Sequence, residues 1–93
     1  MPEMRFHIRW PDGSREACYS PSLVIKEHFA LGEELPLADF VARSRTALTI
    51  ASDRVKARYG FPCSLATSQL ARIEAAAAVM PEDGGVLIEA FEE

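Results

Sequence analysis

Apolar and polar residues alternate strictly from Phe6 to Trp10, which sets Phe6, Ile8 and Trp10 on one face of a strand and Arg5, His7 and Arg9 on the other. Pro11, Asp12 and Gly13 follow, and they suit a type I turn closed by a left-handed glycine. Proline pre-sets φ, aspartate bonds its own backbone, and glycine takes positive φ without steric cost. The spacing predicts a β-hairpin whose register lays Cys18 opposite Phe6 and adds Ala17 and Tyr19 to the arginine face. One face builds a core, and the other carries arginine, histidine and tyrosine.

The period then changes. Ser20, Pro21 and Ser22 form a helix start, with Ser20 able to accept from an orphan N–H and Pro21 placed where no N–H is needed. A short helix over residues 21–29 turns Val24, Ile25 and Phe29 toward the core. Residues 31–36 read as a loop, because Gly32 ends that helix and Pro36 restrains its neighbour. The longest element spans residues 37–59, where Leu37, Phe40, Val41, Ser44, Leu48, Ala51 and Val55 recur at three- and four-residue spacing. Phe6, Ile8 and Trp10 are expected beneath that stripe, while Arg43, Arg45, Asp53, Arg54 and Lys56 fall largely outside it. Gly60 stops the helix and Ser64 caps a third one, which carries Leu65, Leu70, Ile73, Ala77 and Met80 and a run of four small alanines from Ala75.

Gly84 and Gly85 bound a last apolar strand, residues 86–91, in which Leu87 and Phe91 alternate with Val86, Ile88 and Ala90. The order is ββαααβ. It predicts a single α+β domain over residues 1–93: a sheet of about three strands, the hairpin plus the C-terminal strand, with three helices packed on one face.

Composition narrows the picture. A domain of 93 residues buries only about 60–65% of the surface its unfolded chain exposes, so its stability is modest. Apolar residues at 48% with 26% charged residues argue against disorder. The net charge of −4 opposes general attraction to nucleic acid or an anionic membrane. No apolar run approaches the roughly 20 residues that span a bilayer, and the first residues lack the apolar core of a signal peptide. The expected location is cytoplasmic, with no membrane partner and with both cysteines reduced.

Several segments together resemble a known family. The hairpin with Arg9, Trp10, Pro11, Asp12, Gly13 and Ser14 is followed by Cys18 to Ser22, Leu37 to Phe40, Arg43 to Leu48, and Arg58 to Ser64. In that order they resemble a small bacterial family of nitrogen-starvation response proteins, and the resemblance runs from Met4 to about Phe91. That family is encoded beside a nitrilase-type carbon–nitrogen hydrolase, a radical S-adenosylmethionine protein, an acetyltransferase and a flavoprotein. The resemblance implies a role in nitrile or related nitrogen assimilation. It brings no catalytic residues and no cofactor.

The residues themselves assemble no reaction motif. There is no glycine-rich phosphate loop, and Asp39, Asp53 and Glu74 lie along helices without an acid–base partner at fixed spacing. His7, Cys18, His28 and Cys63 are ligand types for zinc, but no two lie within a few residues, and the hairpin register puts His7 and Cys18 on opposite faces. No metal site is expected. Cys18 reads as a core residue, whereas Cys63 stands in a turn before a helix and is the candidate for a thiol-dependent enzyme or redox module.

Arg5, His7, Arg9, Arg15 and Tyr19 form a basic sheet face that Glu89 partly neutralises, and Leu87 and Phe91 are expected to add apolar surface to it. A nucleic-acid-binding regulator is the weaker reading of this face, since the hairpin offers it one aromatic and the third helix carries Arg72 as its sole cation. Arginine and tyrosine are favoured in protein interfaces. The expectation is therefore a non-catalytic accessory or regulatory protein that contacts a partner of its pathway, such as the nitrilase-type enzyme, with a homodimer through the same patch as an alternative.

Overall fold

The hairpin forms in the expected register. In a computed structural model describing residues 2–93, β1 (Met4–Arg9) pairs antiparallel with β2 (Arg15–Ser20), and Phe6 faces Cys18 while Arg5 faces Tyr19 and His7 faces Ala17. The turn between them closes as its residues dictate. Asp12 Oδ1 accepts from the Ser14 N–H at 2.9 Å and from its hydroxyl at 2.6 Å, and Gly13 sits at φ +89°.

The sheet has four strands rather than about three, in the order β2-β1-β4-β3. The addition is β3 (Glu34–Pro36), in a segment whose glycine and proline read as a loop. It pairs antiparallel with β4 (Gly85–Glu92), Leu35 opposite Val86, and both side chains are buried. Gly32 turns the chain back at φ +79°, its N–H donating to the Ile88 carbonyl at 2.8 Å, and the Ile88 N–H returns to the Glu33 carbonyl at 2.9 Å. Pro36 is compatible with this strand because β3 lies at the edge of the sheet, where a missing donor leaves no ladder bond unmade.

The first helix is shorter than its start signals predict. α1 covers Ile25–His28 alone, because the serines before it bond their own neighbourhood. The Ser20 hydroxyl donates to the Ser22 carbonyl at 2.7 Å, and Ser22 Oγ accepts from the Val24 N–H at 3.3 Å, which wraps the chain in turns before any helix begins. Val24, Ile25 and Phe29 are nonetheless buried as expected.

α2 (Leu37–Tyr59) matches its predicted span and stops at Gly60, φ +91°. Leu37, Phe40, Ser44, Ala47, Leu48 and Ala51 are its buried stripe, whereas Val41 and Val55 are only partly buried. α3 (Ser64–Ala77) returns along it. Its N-cap is Cys63, so Ser64 is the first helical residue and caps nothing; Met80 lies past its end, though packed on the core. Ala66 and Ile73, seven apart, are the buried side of α3. That phase turns Leu65 outward, 60% exposed, against the core role its apolar character suggests.

The core is aromatic at its centre. Phe29 meets Phe40 at 5.5 Å between ring centroids, Trp10 meets Phe40 edge-on at 5.6 Å, and Phe6 stacks on Phe29 at 5.8 Å. The Trp10 indole N–H finds its acceptor in Glu16 at 3.0 Å. All this lies between the helices and one face of the sheet. Among the described residues the other face has no helix over it: Arg5, Arg15 and Ala17 are exposed.

Candidate functional site: the open face of the sheet

Three rows of side chains cross this face, fixed by the strand registers. Arg15, Arg9 and Leu87 make one, Ala17, His7 and Ala90 the next, and Tyr19, Arg5 and Glu92 the third. The middle row has alanine on both sides of His7, so it is a shallow trough interrupted by the His7 ring, between two rows of longer side chains.

A β-bulge shapes the far side. The pairing of β1 with β4 slips between His7 and Ile8, so Ile8 faces Ile88, His7 faces Ala90, and Glu89 is the extra residue. Its carboxylate spans two arginines, Arg9 Nη2 at 2.9 Å and Arg15 Nε at 3.3 Å. Beyond the bulge the alternation changes phase. Ala90 and Glu92 join the open face, and Phe91 falls opposite the buried Phe6 and packs against the core. The expected place of Phe91 beside Leu87 is thus corrected: Leu87 stands on the open face and Phe91 on the inner one. No residue-type pattern in Val86 to Phe91 announces the bulge; only the pairing of Glu89 with two arginines explains which residue is extruded.

The cations of this face are unequally occupied. Arg9 and Arg15 are held by Glu89, and His7 Nε2 lies 3.1 Å from Glu92 Oε1. Arg5 is exposed and has no ion-pair partner among the described residues. Such exposed pairs contribute about 0–1 kcal/mol each; their effect is to set the orientation of the arginines. Glu92 and the doubly bonded Glu89 complete the face in a way that the hairpin alone does not reveal.

Tyr19 sits where the open face meets the end of the helical layer. Its N–H, on the free edge of β2, donates to Gln69 Oε1 of α3 at 2.9 Å, which covers part of that edge. Burial, then Glu3 and Cys63 beside it, push the Tyr19 phenol up to about 12. The structure therefore brings together Tyr19 and Cys63, which are far apart in sequence. Cys63 is half-buried, and its backbone is occupied: the N–H donates to Ser52 Oγ at 3.2 Å, and the carbonyl accepts from the Thr67 N–H at 3.2 Å. No histidine or second cysteine hydrogen-bonds its sulfur among the described residues. Cys18 is buried opposite Phe6, and its thiol is pushed up by that burial, with Glu16 adding to the effect.

Two further cations are engaged elsewhere. Arg72 on α3 pairs with Glu16 at 3.1 Å, and Arg54 donates to Ser22 Oγ at 3.2 Å. Among the described residues no group of three His, Cys, Asp or Glu side chains is placed to hold a metal ion. No helix among them is long and apolar enough to cross a membrane. What the open face presents chemically is a low row flanked by alanines, a guanidinium without an ion pair among the described residues, and two arginines oriented by Glu89.

A family model described as nitrogen starvation-induced protein NitG matches residues 5–91. No match was found among curated proteins or among solved structures.

Proposed function

We propose that this chain, which belongs to the family of nitrogen starvation-induced proteins, is a non-catalytic accessory or regulatory protein that acts by binding a protein partner through the open face of its sheet. The observation that carries the reading is that face itself. Among the described residues the helices pack on the opposite side, so this face of the sheet is uncovered, with a low row at Ala17, His7 and Ala90 between rows that hold arginine, tyrosine and leucine. Arginine and tyrosine are the residues that dominate binding energy at protein interfaces, and a trough gives a partner's side chains a place to enter. Arg5 lies beside Glu92 but forms no ion pair among the described residues, so its guanidinium is available to a carboxylate on the partner.

The partner is an enzyme of the same nitrogen-assimilation pathway, and the nitrilase-type hydrolase implied by the family resemblance is the first candidate. Ala17→Glu together with Arg5→Glu fills the trough and reverses the charge without touching the core. Purified wild-type chain is expected to co-elute with the nitrilase-type enzyme and the double variant to elute alone, with unchanged circular dichroism. Equal binding by both chains, or none by either, would overturn the reading.

A further inference from the structure

Two features at opposite ends of the α2–α3 hairpin complement each other. At its tip, Tyr59, Phe61 and Leu65 are 53%, 67% and 60% exposed. Three large apolar side chains within seven residues make a patch rather than scattered exposure. Lys56 and Arg58 stand in the last turn of α2, and Arg58 lies over the Tyr59 ring at 5.7 Å from its centroid. Neither forms an ion pair among the described residues, whereas Arg9, Arg15, Lys26, Arg43, Arg45, Arg54 and Arg72 all do. The tip is apolar, basic and unneutralised, on a chain whose net charge is −4.

At the other end, the start of α2 and the end of α3 enclose an open groove of about 580 Å³. Leu37, Ala38, Val41, Ala42, Ala77 and Ala78 line it, and its charged members are Glu82 and Arg45, the latter held by Glu74 at 2.7 Å. Asp83 follows, and like Glu82 it is exposed and without an ion-pair partner among the described residues. With Arg45 neutralised by Glu74, Glu82 and Asp83 leave this end acidic, and its walls are apolar and small. Ala38 and Ala42 stand on the side of α2 opposite Phe40 and Ala47, so the groove faces away from the sheet.

We propose that the occupant of this groove is a second copy of the chain. The two hairpins lie antiparallel about a twofold axis, and the tip of each is seated in the groove of the other. Charge decides the orientation. The antiparallel arrangement sets Lys56 and Arg58 of each copy beside Glu82 and Asp83 of the other, twice over, whereas a parallel one would set like charges together. Length permits both contacts at once: α2 has 23 residues and is about 34 Å long, so tip and groove are separate patches of one surface. The alanines allow the helices of the two copies to approach closely, and a twofold arrangement closes at two copies instead of growing. The groove faces away from the sheet, and neither it nor the exposed tip side chains belong to the rows of the open face, so the proposal does not depend on the partner reading above.

Sedimentation of the purified full chain over a range of concentrations tests this. The expected species has twice the chain mass of 10.3 kDa, dissociating on dilution and more readily at high salt. Lys56→Glu with Arg58→Glu, and separately Phe61→Ser, should weaken the dimer by about tenfold or more while leaving circular dichroism unchanged, since these side chains are exposed. Adding Glu82→Lys and Asp83→Lys to the charge-reversed chain should restore it. A monomer at every concentration, a mass that grows past two copies, loss of the dimer without restoration, or a dimer broken by Arg5→Glu and indifferent to the tip variants would each overturn the proposal.

Discussion

Leu87 and Phe91 are four residues apart on one strand, and simple alternation puts them on the same face. The bulge at Glu89 separates them, which makes the pair Phe91→Ala and Leu87→Ala a direct measurement of strand phase. Phe91 lies opposite Phe6, whose ring stacks on Phe29, and it packs against the central cluster while keeping part of its surface in water. Complete burial would make its truncation cost about 3–5 kcal/mol, so a partly buried ring should cost about 2–3 kcal/mol. Leu87 stands on the open face between Arg9 and the edge strand, and its truncation should cost less than about 1 kcal/mol. Urea unfolding followed by tryptophan fluorescence is the assay, because Trp10 is buried in the same core. With a slope of about 1–1.5 kcal/mol per molar urea, Phe91→Ala should lower the midpoint by about 2 M and Leu87→Ala by well under 1 M. Equal shifts, or a larger one for Leu87→Ala, would mean that the strand alternates without a bulge and that Phe91 belongs to the open face.

Two further outcomes follow from the same packing. Leu48 is 1% exposed at the centre of α2, at the floor of an open cleft of about 220 Å³ between α2 and α3, and Leu48→Ala should cost about 2–5 kcal/mol; calorimetry showing a loss below about 0.5 kcal/mol would mean the helix packs by another face. Tyr19 ionises in the folded chain at about 12 against an ordinary 10, so the folded state holds this proton longer than the unfolded one; the resulting stability is intact below pH 10 and is lost as the pH rises toward 12, and Tyr19→Phe should flatten that part of the stability curve, an unchanged slope refuting it.

The elements legible in the sequence are those whose signal is local. The hairpin register follows from strict alternation and a turn whose three residues each have a conformational reason. α2 follows from a stripe long enough that no single residue decides it, closed by a glycine at positive φ. β3 is different. Three residues that include a proline carry no period, and they become a strand because Leu35 finds Val86 and because the Gly32 and Glu33 backbone finds Ile88. That pairing is a property of β4, some fifty residues later. α1 fails in the opposite sense: its cap signal is genuine, but Ser20 and Ser22 satisfy each other locally, and the turn they make takes the place of the first helical turn.

The candidate site divides in the same way. Arg5, His7, Arg9, Arg15 and Tyr19 share a face because a period of two puts them there, and that much is contained in the hairpin. What turns the face into a shaped surface comes from β4. An extruded Glu89 locks two arginines, Ala90 opposite His7 keeps the middle row low, and Phe91 withdraws into the core and leaves Leu87 as the apolar member. A bulge costs one residue of phase and is set by the partner strand, so nothing within Val86 to Phe91 could announce it. The consequence for recognition is specific. With Phe91 on the open face the surface would be a broad apolar patch suited to almost any hydrophobic partner. With Phe91 inside, it is a low row between charged ones, where Arg5 is the arginine without an ion pair among the described residues, and on the proposed reading selectivity rests on where the partner places an acidic group.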